Sequence, residues 1–332
     1  MGQSESGHEY EVGRGSTNRP TPPLKEPVTR ETFPTYTRAI VRQIPSSIRH
    51  RSEAIQQYEV DCCSWFLGGE EFYYSDHDRE DPINLRRARR QHARYVRTLR
   101  DLGLDVTVLP ADESTPDCPF VEDTCVVVGN RALVTRPEGM ARRKEAFDSC
   151  YFLYDGYCAF TFLTITCFQL NSIETCLRSL GLEVHRIRNM GATLEGGDVV
   201  FTGTEFFVGD STQSNWLGHR ILAATFPEYP VHAIPLYPPE FHLKGVACCA
   251  APGVIALAQN SAGRLAWDVI RRKGVSSYQP LWLPDCHAVD CIYVNGTLLH
   301  CAQTEGHWNC EVTTSQFYLF VCLYFFITTY VM

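Results

Sequence analysis

Three carboxylates are concentrated in one short acidic segment, Pro116–Asp123 (PDCPFVED), which leads into an apolar run. Asp117, Glu122 and Asp123 fall within seven residues of one another, beside proline and phenylalanine. Paired carboxylates can bind a planar guanidinium cation through bidentate, charge-assisted hydrogen bonds. An ordinary turn whose acids cap backbone N–H groups or face solvent would have the same composition. Taken alone, the segment indicates either a cation pocket or a turn.

Two further segments carry residue types suited to acid–base chemistry and ligand contact. Ala192–Asp198 (ATLEGGD) places Glu195 and Asp198 beside two glycines, which let a backbone come close to a ligand. Phe241–Lys244 (FHLK) contains His242, whose imidazole can serve as a general acid and base near neutral pH. An ordinary turn and a structural histidine are the alternatives for these two segments.

A single arginine completes the set of candidate residues. Arg136 stands at the end of an apolar run, Val134–Pro137, where its guanidinium group could bind a carboxylate. A solvated surface arginine is the alternative interpretation.

Four predicted hairpins connect these segments, each with a short turn between two apolar runs. The turns are predicted at Gly129-Asn130, Gly203, Pro252-Gly253 and Asn295-Gly296. The first strands are predicted at Thr124–Val128, Asp198–Thr202, Gly245–Ala250 and Cys291–Val294, and the second strands at Ala132–Thr135, Glu205–Val208, Val254–Ala258 and Thr297–His300.

Helical spacing of apolar residues follows the second and third hairpins. We predict helices at Asn215–Phe226 and Ser261–Arg272, followed by strands at Val231–Pro235 and Tyr278–Leu283. An earlier strand, helix and strand are predicted at Thr37–Ile44, Asn84–Leu102 and Asp105–Leu109. The chain is therefore expected to contain five ββαβ units, the last of them incomplete or altered. Units that cannot bury their faces alone close into a ring or stack, so we predict a five-bladed α/β-propeller with a central site.

Four stretches do not fit this repeat. Residues 55–79 and 147–171 are aromatic and rich in cysteine without a clear period, and we interpret them as insertions. Residues 301–332 form an atypical apolar tail in place of the helix and strand expected in the fifth unit. Residues 1–34 are polar and predicted to be disordered, which leaves 35–300 as the propeller domain.

Composition excludes several classes of protein. The net charge of −8 argues against a nucleic-acid binder, which needs a basic face. The 15 cysteines include no C-x-x-C pair, and the polar N-terminal region has no apolar signal sequence, so we expect reduced thiols in a cytoplasmic protein and no structural zinc. Gln316–Met332 is close to the lower length limit for a membrane span, and Met1–Ser6 fits the loose pattern for N-myristoylation. A membrane tether is therefore an alternative.

The order and spacing of the segments together resemble the dimethylarginine dimethylaminohydrolases. The resemblance runs from about residue 33 to 300 and includes Leu109–Ser114, Pro116–Cys118, Phe120–Asp123, Thr135–Pro137, Ala192–Asp198, Glu205–Gly209 and His242–Lys244. This family has the five-bladed α/β-propeller fold. The resemblance implies hydrolysis of asymmetric dimethylarginine to citrulline and dimethylamine by a cysteine thiolate, without metal or cofactor, and a link to the control of nitric oxide synthesis.

The resemblance also implies a role for each candidate residue. Asp117 and Asp123 would hold the substrate guanidinium group, with Glu122 and Phe120 shaping the pocket, and Arg136 would bind the substrate carboxylate. His242 would be the general acid and base, oriented by Glu195. Where the family has a second carboxylate-binding arginine, this chain has Gln213, which can donate a hydrogen bond but carries no charge.

The family's nucleophile has no counterpart that can be named from the sequence. The family cysteine lies near the C-terminus beside a second cysteine, whereas this chain offers Cys301, Cys310 and Cys322 in other contexts, and Cys248-Cys249 falls in the fourth unit. A non-catalytic binder of arginine analogues or a membrane-tethered variant is therefore an alternative of another class. Arginine deiminase or an amidinotransferase is the alternative within the superfamily.

Overall fold

The structure is a computed structural model of the 332-residue chain and describes residues 25–29, 31, 33–48, 84–139, 172–284, 286–302, 320–321 and 330–331. The predicted insertions at 55–79 and 147–171 lie outside the described residues. So do most of the N-terminal segment and of the C-terminal tail.

The first sheet is built from two strands joined by a helix. Strand β1 (Arg38–Arg42) pairs in parallel with β2 (Asp105–Leu109), and helix α1 (Leu85–Asp101) lies between them in the chain. Helix α1 begins after Asn84, whose side-chain oxygen accepts a hydrogen bond from the backbone N–H of Arg87 at 3.0 Å. These elements agree with the predicted strand, helix and strand.

Three sheets of one design follow. The second contains β3 (Cys125–Val128), β4 (Arg131–Val134), α2 (Ser172–Ser179) and β5 (Glu183–Arg186). The third contains β6 (Val199–Phe201), β7 (Phe206–Asp210), α3 (Trp216–Thr225) and β8 (Val231–Pro235), and the fourth β9 (Ala247–Ala251), β10 (Val254–Ala258), α4 (Ser261–Lys273) and β11 (Gln279–Leu283). In each sheet the first two strands form an antiparallel hairpin and the third pairs in parallel with the second. This is the predicted ββαβ unit.

The fifth sheet extends into the C-terminal tail. A short helix α5 (Cys286–Val289) precedes the hairpin β12 (Cys291–Val294) and β13 (Thr297–Ala302), and β13 pairs in parallel with the two-residue strand β14 (Phe320–Val321). A last strand, β15 (Tyr330–Val331), pairs antiparallel with β1 in the first sheet. The tail therefore supplies backbone to two sheets, and the predicted domain boundary at residue 300 is corrected.

Five three-stranded sheets connected in this way form the predicted five-bladed α/β-propeller. The hairpin turns lie where the glycine and asparagine signals placed them. In the fifth sheet Asn295 and Gly296 both have positive φ, 46° and 94°, as a two-residue turn between twisted antiparallel strands requires.

The end of the N-terminal segment is part of the core. Val28 is 6% exposed and Phe33 8% exposed, and both belong to a cluster with Phe207 and Ile255. Pro27 forms a parallel bridge with Ser277. The prediction that residues 1–34 are disordered as a whole is therefore wrong for its last described residues, because two apolar side chains anchor them against the third and fourth sheets.

No helix in the part of the chain that the structure describes is both long enough and apolar enough to cross a membrane. The apolar run Gln316–Met332 falls mostly outside that part.

Candidate active site

Three of the predicted motif segments end in short 3₁₀ turns directly ahead of the first strand of a sheet. These turns are Val121–Thr124 before β3, Gly196–Asp198 before β6 and Leu243–Gly245 before β9. The Gly196–Asp198 turn packs against both of the others. The propeller thus gathers segments that are far apart in the chain at one place, because equivalent positions of successive blades face a common centre.

Two glycines make this close packing possible. A Cβ atom added to Gly196 would lie 1.8 Å from the backbone oxygen of Glu122. A Cβ atom on Gly197 would lie 2.6 Å from Nδ1 of His242 and 2.7 Å from Oδ1 of Asp123. Non-bonded atoms do not approach a Cβ atom so closely, so both positions require glycine. The two glycines thus allow protein groups to approach one another, and the predicted close approach to a ligand stays a prediction.

The centre of the cluster is a histidine–carboxylate pair. Nε2 of His242 lies 2.8 Å from Oε2 of Glu195. The Glu195 side chain is 1% exposed and that of His242 14% exposed, so the imidazole retains limited access to solvent. Asp123 joins them, since its Oδ1 accepts a hydrogen bond from the backbone N–H of Gly197 at 2.9 Å. The structure therefore brings together the predicted general acid and base, its orienting carboxylate and one predicted guanidinium ligand.

The surrounding charges determine the protonation of His242. Burial on its own lowers the pKa of an imidazole, but the negative charge of Asp123, the hydrogen bond to Glu195 and the charge of Asp198 together raise the pKa of His242 to about 9. At neutral pH the ring is therefore cationic and can donate a proton.

Asp198 is a buried member of the site to which the sequence assigned no role. Its carboxylate accepts hydrogen bonds from Ser211 Oγ at 2.7 Å, from Ser214 Oγ at 2.6 Å and from the backbone N–H of Leu243 at 2.9 Å. Burial raises the pKa of Asp198 to about 6, against these hydrogen bonds and the His242 charge. The bond to Leu243 fixes the backbone directly after His242, so Asp198 positions the histidine.

Glu122 pairs with Lys244, a residue of the Phe241–Lys244 segment to which the sequence interpretation assigned no role. Lys244 Nζ lies 2.6 Å from Oε2 of Glu122, and both side chains are largely buried. Although burial acts to lower it, the Glu122 carboxylate raises the pKa of Lys244. Asp290, just ahead of β12, was missed; burial and the nearby Glu122 charge raise the pKa of its carboxyl group well above the usual value. Its position before a first strand, like that of Asp198, is the signal that could have found it.

Asp117 and Phe120 lie in the turn that leads into this site. Asp117 is 2% exposed and Phe120 9% exposed. The backbone N–H of Phe120 donates to the carbonyl of Asp117 at 3.0 Å, and the N–H of Asp123 donates to the carbonyl of Phe120 at 3.3 Å. The segment is therefore a hydrogen-bonded turn, but its acids are buried and not solvated. A cation pocket at this place stays a prediction.

Arg136 is also buried, at 4% exposure, so the surface alternative is wrong. Its backbone forms an antiparallel bridge with Leu194, the residue before Glu195. Its Nη1 donates to the carbonyl oxygen of Ala192 at 3.1 Å. The guanidinium group is thereby fixed beside the segment that carries Glu195.

Gln213 lies at the margin of the cluster. Its side-chain nitrogen donates to Thr212 Oγ1 at 3.3 Å and its backbone N–H to Ser211 Oγ at 2.9 Å. Within the described residues its hydrogen bonds stay in this turn, so the structure does not bring it into contact with the other predicted site residues. The turn itself is tied to the site by Ser214 Oγ, which accepts from the backbone N–H of Glu195 at 3.0 Å.

The same cluster contains the donor types of a metal site. One ligand atom each of Asp123, Glu195 and His242 lies within 4.8 Å of the others. These groups could together hold a divalent cation. In the present geometry Nε2 of His242 is instead hydrogen-bonded to Glu195, and the absence of a metal stays a prediction.

Six cysteines have side chains within the described residues, and all are buried: Cys118, Cys125, Cys176, Cys248, Cys249 and Cys291. Burial raises the pKa of the Cys125 and Cys249 thiols, which disfavours the nucleophilic thiolate. The Cys248 thiol in the fourth sheet donates to the backbone carbonyl oxygen of Cys291 in the fifth sheet at 2.9 Å, and its hydrogen bond with the Cys291 side chain is the main cause that lowers its pKa. The side chains of Cys301, Cys310 and Cys322 lie outside the described residues, so the missing nucleophile stays unassigned.

Known proteins resemble this chain in both sequence and fold. The human protein DDAH2 is 33% identical over 213 residues, which is 64% of this chain and 66%, slightly under two thirds, of the human protein. The N(G),N(G)-dimethylarginine dimethylaminohydrolase of Pseudomonas aeruginosa is 27% identical over 63% of this chain and 71% of its own length. No protein-family model matches the chain.

Solved structures agree with the five-bladed architecture. A cysteine-to-serine mutant of the P. aeruginosa dimethylarginine dimethylaminohydrolase in complex with citrulline has a TM-score of 0.57 at 21% identity, covering 81% of this chain and 85% of that chain. The N-terminal domain of ArgZ, an arginine dihydrolase from cyanobacteria, has a TM-score of 0.55 at 13% identity, covering 79% and 82%. At these identities the structural likeness concerns the fold. The sequence relatives, together with this shared fold, support placing the chain in the dimethylarginine dimethylaminohydrolase family of pentein propellers.

Proposed function

We propose that this protein hydrolyses N-omega-methylated arginines, with asymmetric dimethylarginine as the substrate and citrulline and dimethylamine as the products. The proposal rests above all on the cationic His242 held 2.8 Å from the buried Glu195, with Asp123 in the same cluster. Such a site combines a proton donor with carboxylates that favour a cationic substrate.

In this proposal the substrate lies among buried carboxylates. Asp117 and Asp123 bind the guanidinium nitrogens, and Phe120 and Glu122 shape the pocket. Bidentate carboxylate–guanidinium bonds fix the plane of the substrate, so its central carbon is presented to a nucleophile from one face. Lys244 Nζ lies 2.6 Å from Glu122 Oε2 and balances the charge of this carboxylate. Glu122 therefore does not compete with Asp117 and Asp123 for the substrate guanidinium group.

The remaining contacts concern the amino-acid end of the substrate. Arg136 binds the substrate carboxylate and Gln213 donates a hydrogen bond to it. An uncharged partner adds less binding energy than a second arginine would, so substrate binding through this end is weaker than with two guanidinium groups.

The proposed chemistry uses His242 twice. A cysteine thiolate attacks the guanidinium carbon, and His242 donates its proton to the departing dimethylamine, leaving a thiouronium intermediate. Water then attacks the same carbon while His242 accepts its proton, the thiolate departs, and citrulline forms. A pKa near 9 leaves His242 protonated at neutral pH, as the first step requires.

The test is citrulline release from asymmetric dimethylarginine by the purified 332-residue chain, with His242→Ala as the control. We expect activity that this substitution abolishes, and single cysteine replacements would then identify the nucleophile. Arginine is assayed in parallel, and preferential turnover of arginine would contradict the substrate assignment. A folded wild-type protein that releases no citrulline from either compound would contradict hydrolysis and favour a non-catalytic binder.

The family resemblance extends the proposal to the cell. We place the protein in the cytoplasm, where removal of methylated arginines would link it to the control of nitric oxide synthesis. Cell fractionation tests the location, since recovery of the protein in the membrane fraction would contradict it.

A further inference from the structure

A second concave site lies at the junction of the second and third blades, formed by α2, the end of β5 and the exposed side of α3. This junction groove is a cavity of about 740 Å³, a volume within the range of small-molecule sites. Its lining contains four arginines, namely Arg178, Arg186, Arg188 and Arg220. None of its lining residues belongs to the His242 cluster.

The charge of the junction groove is opposite to that of the chain. The whole protein carries a net charge of −8, yet the lining residues include one carboxylate, Glu174, against four guanidinium groups. Glu174 pairs with Arg178 at 2.7 Å and also with Arg186, so these two arginines are held in place by a shared partner. The groove therefore has an excess of positive charge.

Arg188 and Arg220 supply most of that excess. Both are exposed, and neither forms an ion pair with any carboxylate among the described residues. The Arg220 guanidinium group lies 5.6 Å from the ring centre of Trp216, which is 58% exposed, and this contact orients the arginine over an aromatic face. The two groups are available to an incoming anion.

The floor of the groove is apolar. Leu133 is fully buried, and Val184, Leu217 and Ile221 line the cavity beside it. A site with an apolar floor and a few charged groups suits a ligand that has an organic part and an anionic part. Arginine is the side chain that best matches the geometry of phosphate oxygens, through paired N–H donors.

We propose that the junction groove binds a small organic phosphate. The phosphate group would lie on Arg188 and Arg220, and the organic part on the apolar floor formed by Leu133, Val184, Leu217 and Ile221. Arg178 and Arg186, fixed by Glu174, flank the anion and add to its electrostatic attraction. The site is separate from the proposed hydrolase site and does not depend on its chemistry.

Calorimetric titration of the full chain with ADP, inorganic phosphate and adenosine tests the proposal. ADP carries both ligand parts, whereas phosphate and adenosine each carry one. We expect ADP to bind most tightly, and Arg188→Gln and Arg220→Gln each to weaken it by about tenfold, as loss of one charged hydrogen-bonding partner predicts. Arg271→Gln, which removes an exposed arginine on α4 outside the groove, is the matched control and should bind ADP like the wild type.

Several outcomes would overturn the proposal. These are no ADP binding at millimolar concentration, equal binding by the Arg188→Gln and Arg220→Gln variants, or adenosine binding as tightly as ADP. Phosphate binding as tightly as ADP would reject the organic part of the ligand. Both variants alter exposed side chains, and a thermal unfolding transition like that of the wild type confirms that they are folded. His242→Ala should retain ADP binding, which separates this result from failure of the proposed hydrolase activity.

Discussion

The clearest electrostatic prediction concerns Glu195→Gln, which keeps the shape of the side chain but removes its charge. The pKa of His242 is raised from 6.5 to about 9; the charge of Asp123 is the largest single cause that raises it, and Glu195 raises it through both its hydrogen bond and its charge. The shift corresponds to about 3 kcal/mol in favour of the protonated ring. Because Asp123 and Asp198 stay in place, we expect the variant to retain part of the effect, with a His242 pKa below that of the wild type and still above 6.5.

The same shift makes stability depend on pH. His242 has a higher pKa in the folded chain than in the unfolded chain, so its contribution is complete below about pH 6.5 and is lost as the pH rises through about 9. The wild type should lose about 3 kcal/mol of unfolding free energy across this window from this group, and Glu195→Gln distinctly less. Asp198, with a pKa near 6, titrates mainly below the window.

The assay has two parts. Urea unfolding at pH 6.5 and pH 9.5 measures the difference in stability, and NMR titration of the imidazole protons measures the pKa directly, with His242→Asn used to assign the signal. Glu183→Gln is the matched control, because Glu183 forms a pair of similar length with His185, at 2.9 Å, on the exposed surface. Exposed pairs contribute little, so this control should show the wild-type pH dependence.

Two results would refute the reasoning. A His242 pKa at or below 6.5 in the wild type would show that burial outweighs the surrounding carboxylates. An unchanged pKa in Glu195→Gln would show that the 2.8 Å contact does not determine the protonation of the ring.

Three further predictions concern other parts of the site. Gly197→Ala should reduce citrulline release by tenfold or more and lower the free energy of unfolding by about 1 to 3 kcal/mol, because the added Cβ atom would lie 2.6 Å from Nδ1 of His242. Enzyme kinetics and thermal unfolding measure these two effects, and wild-type activity in the variant would contradict the prediction. Lys244→Met should lower the free energy of unfolding by about 3 to 5 kcal/mol, because Glu122 is left buried without its partner. The double variant with Glu122→Gln should regain part of this loss in urea unfolding, whereas additive losses from the two substitutions would contradict the pairing. Gln213→Arg should lower the KM for asymmetric dimethylarginine by about tenfold with little change in kcat, and an unchanged KM would show that this position does not face the substrate carboxylate.

Local sequence signals were sufficient for the repeating unit. The hairpin turns depend on residues that tolerate positive φ, such as Asn295 and Gly296, and this requirement is readable without knowledge of the fold. The helices over 216–225 and 261–273 follow from apolar spacing and from asparagine caps at Asn215 and Asn260. Counting such units predicted the five-bladed propeller.

Other elements lacked a signal strong enough to predict. Helix α2 spans only eight residues directly after the unusual stretch 147–171, so its apolar spacing at Ile173, Cys176 and Leu177 covers little more than one turn. Strand β5 has four residues, of which only Val184 is apolar. Strand β15 pairs with β1 through only two residues from the opposite end of the chain. So short a strand carries no periodicity, and its pairing is decided by the closure of the ring.

The candidate active site, too, was predicted in part from local sequence and decided in part by the tertiary structure. The sequence by itself determined the identity and order of the groups that could act, including Asp123, Glu195 and His242, because their types and motif context are local properties. Only the tertiary structure decided which of them meet. The Glu122–Lys244 pair joins residues 122 positions apart, and Asp198 reaches His242 through the backbone of Leu243. Such contacts depend on which blades are neighbours and on how deeply a charge is buried, and neither is encoded in any single stretch of the chain.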